Sequence, residues 1–219
     1  MTGGLVRIKI INQSKYKEKN MKRKIIISLA GILMATNVAL AEESGWFVGG
    51  QVGYDSFQEK RTGAIAQGVA DYKKSGWDFS FGLLGGYKQF FTNEFGTRYY
   101  GVFNYANYDS IPTYYLNANI DLLYNFAKIE FYEFGVFGGL SLGYQHYDFS
   151  KTLENSAKGF DVGINLGARV GFVDRHNIEF YSRFGLNDVS AKMKKAGFVA
   201  TDHAVRQLYA VGLRYTYSF

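Results

Sequence analysis

The chain has 219 residues, with 18% aromatic side chains, 26 glycines, one proline and no cysteine. The missing thiols exclude disulfides, thiolate chemistry and a lipidated N-terminal cysteine. Of the 25 Lys and Arg, eight lie in residues 1–41 (Arg7, Lys9, Lys15, Lys17, Lys19, Lys22, Arg23, Lys24), against the single acid Glu18. From residue 42 onward 17 cations meet 18 anions, so the formal +6 belongs to the N-terminal segment and is no argument for nucleic acid.

That segment has the layout of a secretory leader. Met21-Lys22-Arg23-Lys24 is basic, and Ile25 to Leu40 is mostly apolar, interrupted by Ser28, Thr36 and Asn37. Ala39-Leu40-Ala41 is a small-x-small cleavage site. The expectation is a signal-peptide helix over 21–41, with 1–20 an over-extended start ahead of Met21. The alternative is a retained anchor helix, although the apolar run is shorter than the roughly 20 residues a spanning helix needs.

Residues 42–219 then fall into eight runs of period two, the spacing of strands with two chemically different faces. The first is Trp46–Asp55, with Trp46, Val48, Gly50, Val52 and Tyr54 on one face and Gly49, Gln51, Gly53 and Asp55 on the other. The second is Trp77–Lys88, built on Trp77, Phe79, Phe81, Leu83, Gly85 and Tyr87. The third, Arg98–Ala106, is weaker and carries Tyr99, Gly101, Phe103 and Tyr105. The fourth, Tyr114–Phe126, alternates Tyr114, Leu116, Ala118, Ile120, Leu122, Tyr124 and Phe126 with Asn117, Asn119, Asp121 and Asn125.

The fifth run is Tyr132–Gln145. The sixth, Phe160–Phe172, is the cleanest: Phe160, Val162, Ile164, Leu166, Ala168, Val170 and Phe172 oppose Asp161, Gly163, Asn165, Gly167, Arg169 and Gly171. The seventh is Ile178–Asn187. The eighth, Tyr209–Phe219, puts Tyr209, Val211, Leu213, Tyr215, Tyr217 and Phe219 on one face and ends on an aromatic residue.

Each run is long enough to cross a bilayer at a tilt, which takes about 9–11 residues. Segments 91–96, 127–129 and 174–176 are short connections. Segments 56–75, 147–158 and 189–203 are long, and 109–113 is the exception at five residues. Tyr, Trp and Phe gather at strand ends, whereas Ile, Leu, Val, Ala and Gly fill the middles. Short turns at one end, long loops at the other, and aromatic girdles around an aliphatic band form the pattern of an outer-membrane barrel. The expected fold is all-β: a closed, eight-stranded antiparallel transmembrane β-barrel over residues 42–219, with both ends periplasmic. A soluble lipocalin-like barrel or sandwich is the alternative, and the aromatic placement argues against it.

Eight strands enclose room for packed side chains or one small ligand. The face opposite the apolar one carries candidate interior charges: Asp78, Lys88, Asp121, Glu133, Asp161, Arg169, Glu179, Arg183, Arg206 and Arg214. Confined charges of both signs should pair. Two readings stand: a lumen plugged by ion pairs, or a polar pore.

Signals for chemistry are thin. His146 with Asp148, or His203 with Asp202, could imitate an acid–base pair, and His176 sits in a short turn. No nucleophile motif accompanies them, so no catalytic role is expected. No spacing suits a metal, and no cofactor is expected. The long loops carry a basic patch: Lys60, Arg61, Lys73 and Lys74 in the first, Lys192, Lys194 and Lys195 in the last. Contact with lipopolysaccharide phosphates is one reading, and a host-cell surface receptor is the other.

The leader Met21–Ala41, the start Glu42-Glu43-Ser44-Gly45-Trp46-Phe47-Val48-Gly49-Gly50-Gln51-Val52-Gly53-Tyr54 and the ending Tyr209–Phe219 resemble the Helicobacter-type outer membrane protein family. The start is similar to that family's first strand. The ending resembles its C-terminal signature and, more widely, the signal read by the barrel assembly machinery. The match is carried by the two ends; the central strands rest on periodicity. Larger members resemble adhesins with an extracellular domain between the first strands, and this chain departs from them in having a first loop of only about 20 residues. It also resembles small OmpA/OmpX-type barrels. The resemblance implies a monomer in the outer membrane with a structural or surface-interaction role. A narrow pore for small or hydrophobic solutes and, more remotely, a lipid-modifying enzyme are the alternatives.

Overall fold

The computed structural model describes residues 43–62, 72–108, 111–148, 156–172, 175–193 and 201–219. The expected signal peptide lies outside them. The described chain forms β1 (Gly45–Thr62), β2 (Tyr72–Phe90), β3 (Phe95–Tyr108), β4 (Ile111–Ile129) and β5 (Tyr132–Asp148). These are followed by β6 (Ser156–Phe172), β7 (His176–Gly185), β8 (Val189–Met193) and β9 (Thr201–Ser218). Neighbours in sequence pair antiparallel, and β9 pairs with both β7 and β1, so the sheet closes on itself. Closure of β9 onto β1 removes the open edges that the first and last strands would otherwise present, which is what a membrane-spanning sheet requires.

Strands β7 and β8 share one place in the wall, which gives eight staves. The seventh stave breaks at Leu186–Asp188, and side chains mend the gap. The Asn187 carboxamide accepts from the Val162 amide at 2.7 Å and donates to the Phe160 carbonyl at 2.8 Å, as a strand backbone would. The Arg206 guanidinium donates to the freed Gly185 carbonyl at 2.7 and 3.2 Å. Polar backbone left bare against lipid is costly, so the break depends on these two side chains.

The apolar faces point outward. Leu83 is 70% exposed and Leu116 62%, which identifies lipid, not water, as the solvent of this face. At one end Trp46 packs on Tyr87 with centroids 5.4 Å apart; at the other Trp77 meets Tyr209 at 4.5 Å. Ten residues separate Trp77 from Tyr87, about 25 Å of membrane normal at ~3.3 Å per residue and ~40° tilt. The two girdles therefore bracket one apolar band.

Strands run past that band. The ladder between β1 and β2 continues to Arg61 opposite Tyr72. Much of the expected loop 56–75 is therefore paired strand, and only 63–71 lies outside the described residues. Segment 189–203 likewise contains β8 and the start of β9. Alternation reports the stretch that lipid covers; beyond it the outward face turns polar, as at Gln58 and Lys60, so the period fades although Phe57 and Glu59 stay buried inside. The short β4–β5 turn holds Glu130 at φ 52°, a left-handed conformation that suits the twist of a tight hairpin.

Candidate functional site

Parity decides what fills the interior. Along β3 it turns Arg98, Tyr100, Val102 and Asn104 inward, and along β4 it turns Tyr115, Asn117, Asn119 and Asp121 inward. Buried charges need partners in so narrow a space, and each stave supplies part of the set.

In the periplasmic half, Arg98 on the third stave donates to Glu179 on the seventh at 2.5 Å. Those staves are diametrically opposite among eight. Arg98 also holds Asp121 at 2.9 Å, and Arg214 reaches Glu179 at 3.2 Å. Tyr100 donates to Asp121 at 2.9 Å and accepts from Arg214 at 3.3 Å. Rings cover the guanidinium faces: Phe137 lies 4.4 Å from Arg98 and Tyr181 4.8 Å from Arg214.

In the outer half, Arg183 binds Asp161 at 2.5 Å and Ser141 at 2.8 Å, and it also donates to Gln207. Gln145 donates to Asp161 at 2.5 Å. Asp55 accepts from Ser80 at 2.8 Å and from Gln207 at 2.9 Å. Above them Phe57 stacks on Tyr115 at 6.0 Å and meets Tyr147, from the opposite stave, at 6.3 Å. A cavity of about 20 Å³ between the two clusters is lined by Tyr115, Asn117 and Tyr181 among others. It has room for about one water molecule. Buried oxygens of those three side chains have no protein partner, which fits a water site.

The interior charges expected from the sequence take three positions. Lys88, Asp121, Asp161, Arg169, Glu179, Arg183 and Arg214 are buried inside, with Arg169 donating to Asn177 at 2.7 Å, and Asp78 is half-buried opposite Asp55 in the ladder. Glu133 faces inward, half-buried, near the periplasmic mouth. Arg206 requires a correction. The register of β9 against β1 shifts at Ser56/Phe57, which leaves Leu208 unpaired and reverses parity beyond it. Gln207 thus points in, and Arg206 lies on the outer face against Gly185. Glu59 is also buried, beyond the end of the first run, and within the runs two interior charges, Arg98 and Asp55, escaped the candidate set. Their signal was present: each lies on the polar face of its run, Arg98 beside Tyr99 and Asp55 beside Tyr54.

The basic patch is also corrected, since Lys60, Arg61, Lys73, Lys74 and Lys192 belong to strands, not loops. Lys194 and Lys195 lie outside the described residues. Lys60 and Lys73 are direct cross-strand partners, and Lys60 binds Asp188 at 3.2 Å. The histidines are dispersed. His146 packs against Tyr114 on the outer face, whereas His176 bonds Tyr215 at 2.6 Å and stacks on Phe172 in the periplasmic girdle. His203 lies on β9, away from both. Among the described residues no cluster of His, Asp and Glu could hold a metal.

The face of β9 expected from the sequence to carry an assembly signal lines the outside from Tyr209 to Phe219. The final amide, of Phe219, donates to the Trp46 carbonyl at 2.9 Å and closes the barrel seam. The model of the Helicobacter outer membrane protein family matches residues 82–219, more than half of the chain and all of it from mid-β2 to the last residue. The chain belongs to that family. This family member is accordingly a β-barrel of the bacterial outer membrane.

Among solved structures it is similar to Neisserial surface protein A, at 13% identity over 80% of this chain and 99% of that one, TM-score 0.43. It is also similar to OprG of Pseudomonas aeruginosa, at 11% identity over 82% and 99%, TM-score 0.48. A third is Ail, the attachment invasion locus protein of Yersinia pestis, at 13% identity over 80% and 99%, TM-score 0.33. No curated protein matches the chain.

Proposed function

We propose that this family member is a closed-lumen barrel with a structural or surface-interaction role in the outer membrane, and that it does not pass solutes. The observation that carries the reading is the contact from Arg98 to Glu179 between opposite staves. A pore for ions or sugars needs a free bore, and a buried, mutually neutralised pair gives a passing ion nothing in exchange for its hydration. The Phe57–Tyr147 contact supports the same reading at the outer mouth. On this reading the chain works as a monomer, and its recognition surface is the outer rim around 57–75. A host-cell surface molecule is the proposed partner of that rim, and the barrel assembly machinery the partner of β9 during export.

The test is conductance of the purified protein in planar bilayers. Rare, small openings or none are expected, and steady porin-sized openings would refute the closed lumen. Exchange of residues 63–71 for a short turn should abolish host-cell binding while leaving the barrel folded; unchanged binding would remove the rim from the proposal.

A further inference from the structure

The outer face of β9, β1 and β2 gathers three cations just beyond the Trp77–Tyr209 girdle. Lys60 and Lys73 are directly opposed in the ladder on the side that carries Trp77, and Arg206 is the partner of Gln58 one row nearer the membrane. Lys73 is exposed, and 42% of the Lys60 side chain is open to its surroundings. Like charges directly opposite each other destabilise a sheet. Among the described residues one carboxylate, Asp188, reaches Lys60 at 3.2 Å, which leaves the charges of Lys73 and Arg206 in surplus there.

Depth narrows the partner. Lys73 stands four residues beyond Trp77, about 10 Å along the membrane normal at ~3.3 Å per residue and ~40° tilt. The polar headgroup layer outside the hydrocarbon is about 5–8 Å deep, so the Lys73 backbone stands just past it and its long side chain has the length to reach back into it. Side chains on this face point away from the barrel axis, toward the lipids around it. The anion that meets an outward-facing cation pair at headgroup depth is a lipid phosphate, and a phosphate offers several oxygens to two ammonium groups and a guanidinium.

We infer that Lys60, Lys73 and Arg206 form a binding site for a phosphate of a phosphorylated glycolipid in the outer leaflet, with Trp77 and Tyr209 packing beneath it against the acyl chains. The site uses the opposed lysines as a pre-set deficit that the bound phosphate relieves. It rests on the outer-membrane location and the rim geometry, not on the closed lumen, so a conducting barrel would leave it standing.

The experiment is native mass spectrometry of the full-length protein, purified from outer membranes, stripped of lipid in detergent and titrated with bis-phosphorylated lipid A. Dephosphorylated lipid A and phosphatidylglycerol serve as comparators. A one-to-one adduct selective for bis-phosphorylated lipid A is expected, with affinity falling about 30-fold in Lys60→Gln/Lys73→Gln. Lys158→Gln, which removes an exposed rim cation from β6, should leave it unchanged. Equal binding of dephosphorylated lipid A or phosphatidylglycerol, undiminished binding by the double variant, or an equal loss in Lys158→Gln would each overturn the site.

A single variant guards against misfolding. Lys73→Gln removes the like-charge opposition, so without lipid A it should unfold at slightly higher urea than the native protein. With lipid A the order should reverse. The same order in both conditions would also overturn the proposal.

Discussion

Arg98 and Glu179 lie 81 residues apart in sequence and 2.5 Å apart across the full bore of the barrel. Glu179 carries the balance for two guanidinium groups, Arg98 and Arg214. Glu179→Gln therefore leaves Arg98 with Asp121 alone and takes from Arg214 its one carboxylate partner among the described residues. It should cost about 3–5 kcal/mol, the range for breaking a buried ion pair from one side. Arg98→Met/Glu179→Met should cost less than Glu179→Gln, because it removes one charge of each sign and leaves Asp121 and Arg214 joined through the Tyr100 hydroxyl. Urea unfolding of the barrel refolded into lipid vesicles measures both, and a double variant worse than the single would contradict this account.

Asn187 does the work of a missing stretch of strand. Asn187→Ala loses two hydrogen bonds to β6 and should destabilise by about 1–3 kcal/mol, at 0.5–1.5 per bond. The effect should be local. Amide exchange at Val162 should rise well above that at Ile164, whose stave neighbour Phe184 keeps its place in the ladder. Uniform exchange along β6 would show that the break is mended by other means.

Two glycines should respond in opposite ways. A Cβ at Gly139 would strike the Ile120 carbonyl and the Asp121 side chain, inside the barrel. A Cβ at Gly101 would stand on the outside, with its nearest neighbour, the Asn117 carbonyl, at 4.0 Å. Gly139→Ala should lower stability by about 1–3 kcal/mol through overpacking. Gly101→Ala should be neutral or stabilising by up to about 1 kcal/mol, since it restricts the unfolded chain without strain. Thermal loss of heat-modifiable gel mobility ranks the pair.

Phe219 separates an address from a structural role. The residue is 68% exposed and its ring touches Tyr217, while its seam hydrogen bond uses the backbone. Phe219→Ala should thus change refolding stability in vesicles by no more than about 0.5 kcal/mol. On the proposal that the assembly machinery reads this side chain, the variant should nevertheless lower the amount of folded barrel in the outer membrane. A normal level in cells would remove that role, and a large loss in vesicles would make it structural.

The sequence by itself determined the eight staves, their inward and outward faces and the membrane they cross. Alternation is a local property, fixed by the two-residue period of a strand and by lipid on one side of it. Wherever the period is clean, as from Phe160 to Phe172, inward residues such as Asp161 and Arg169 were legible directly. Tertiary structure decided the rest. Which charge meets which depends on the register of staves far apart in sequence, so Arg98 to Glu179 and Phe57 to Tyr147 left no trace in either run. One unpaired residue, Leu208, reversed the parity of Arg206, because a bulge shifts every side chain beyond it to the other face. The opposition of Lys60 and Lys73, read from the sequence as loop charge, exists only because the ladder continues above the lipid.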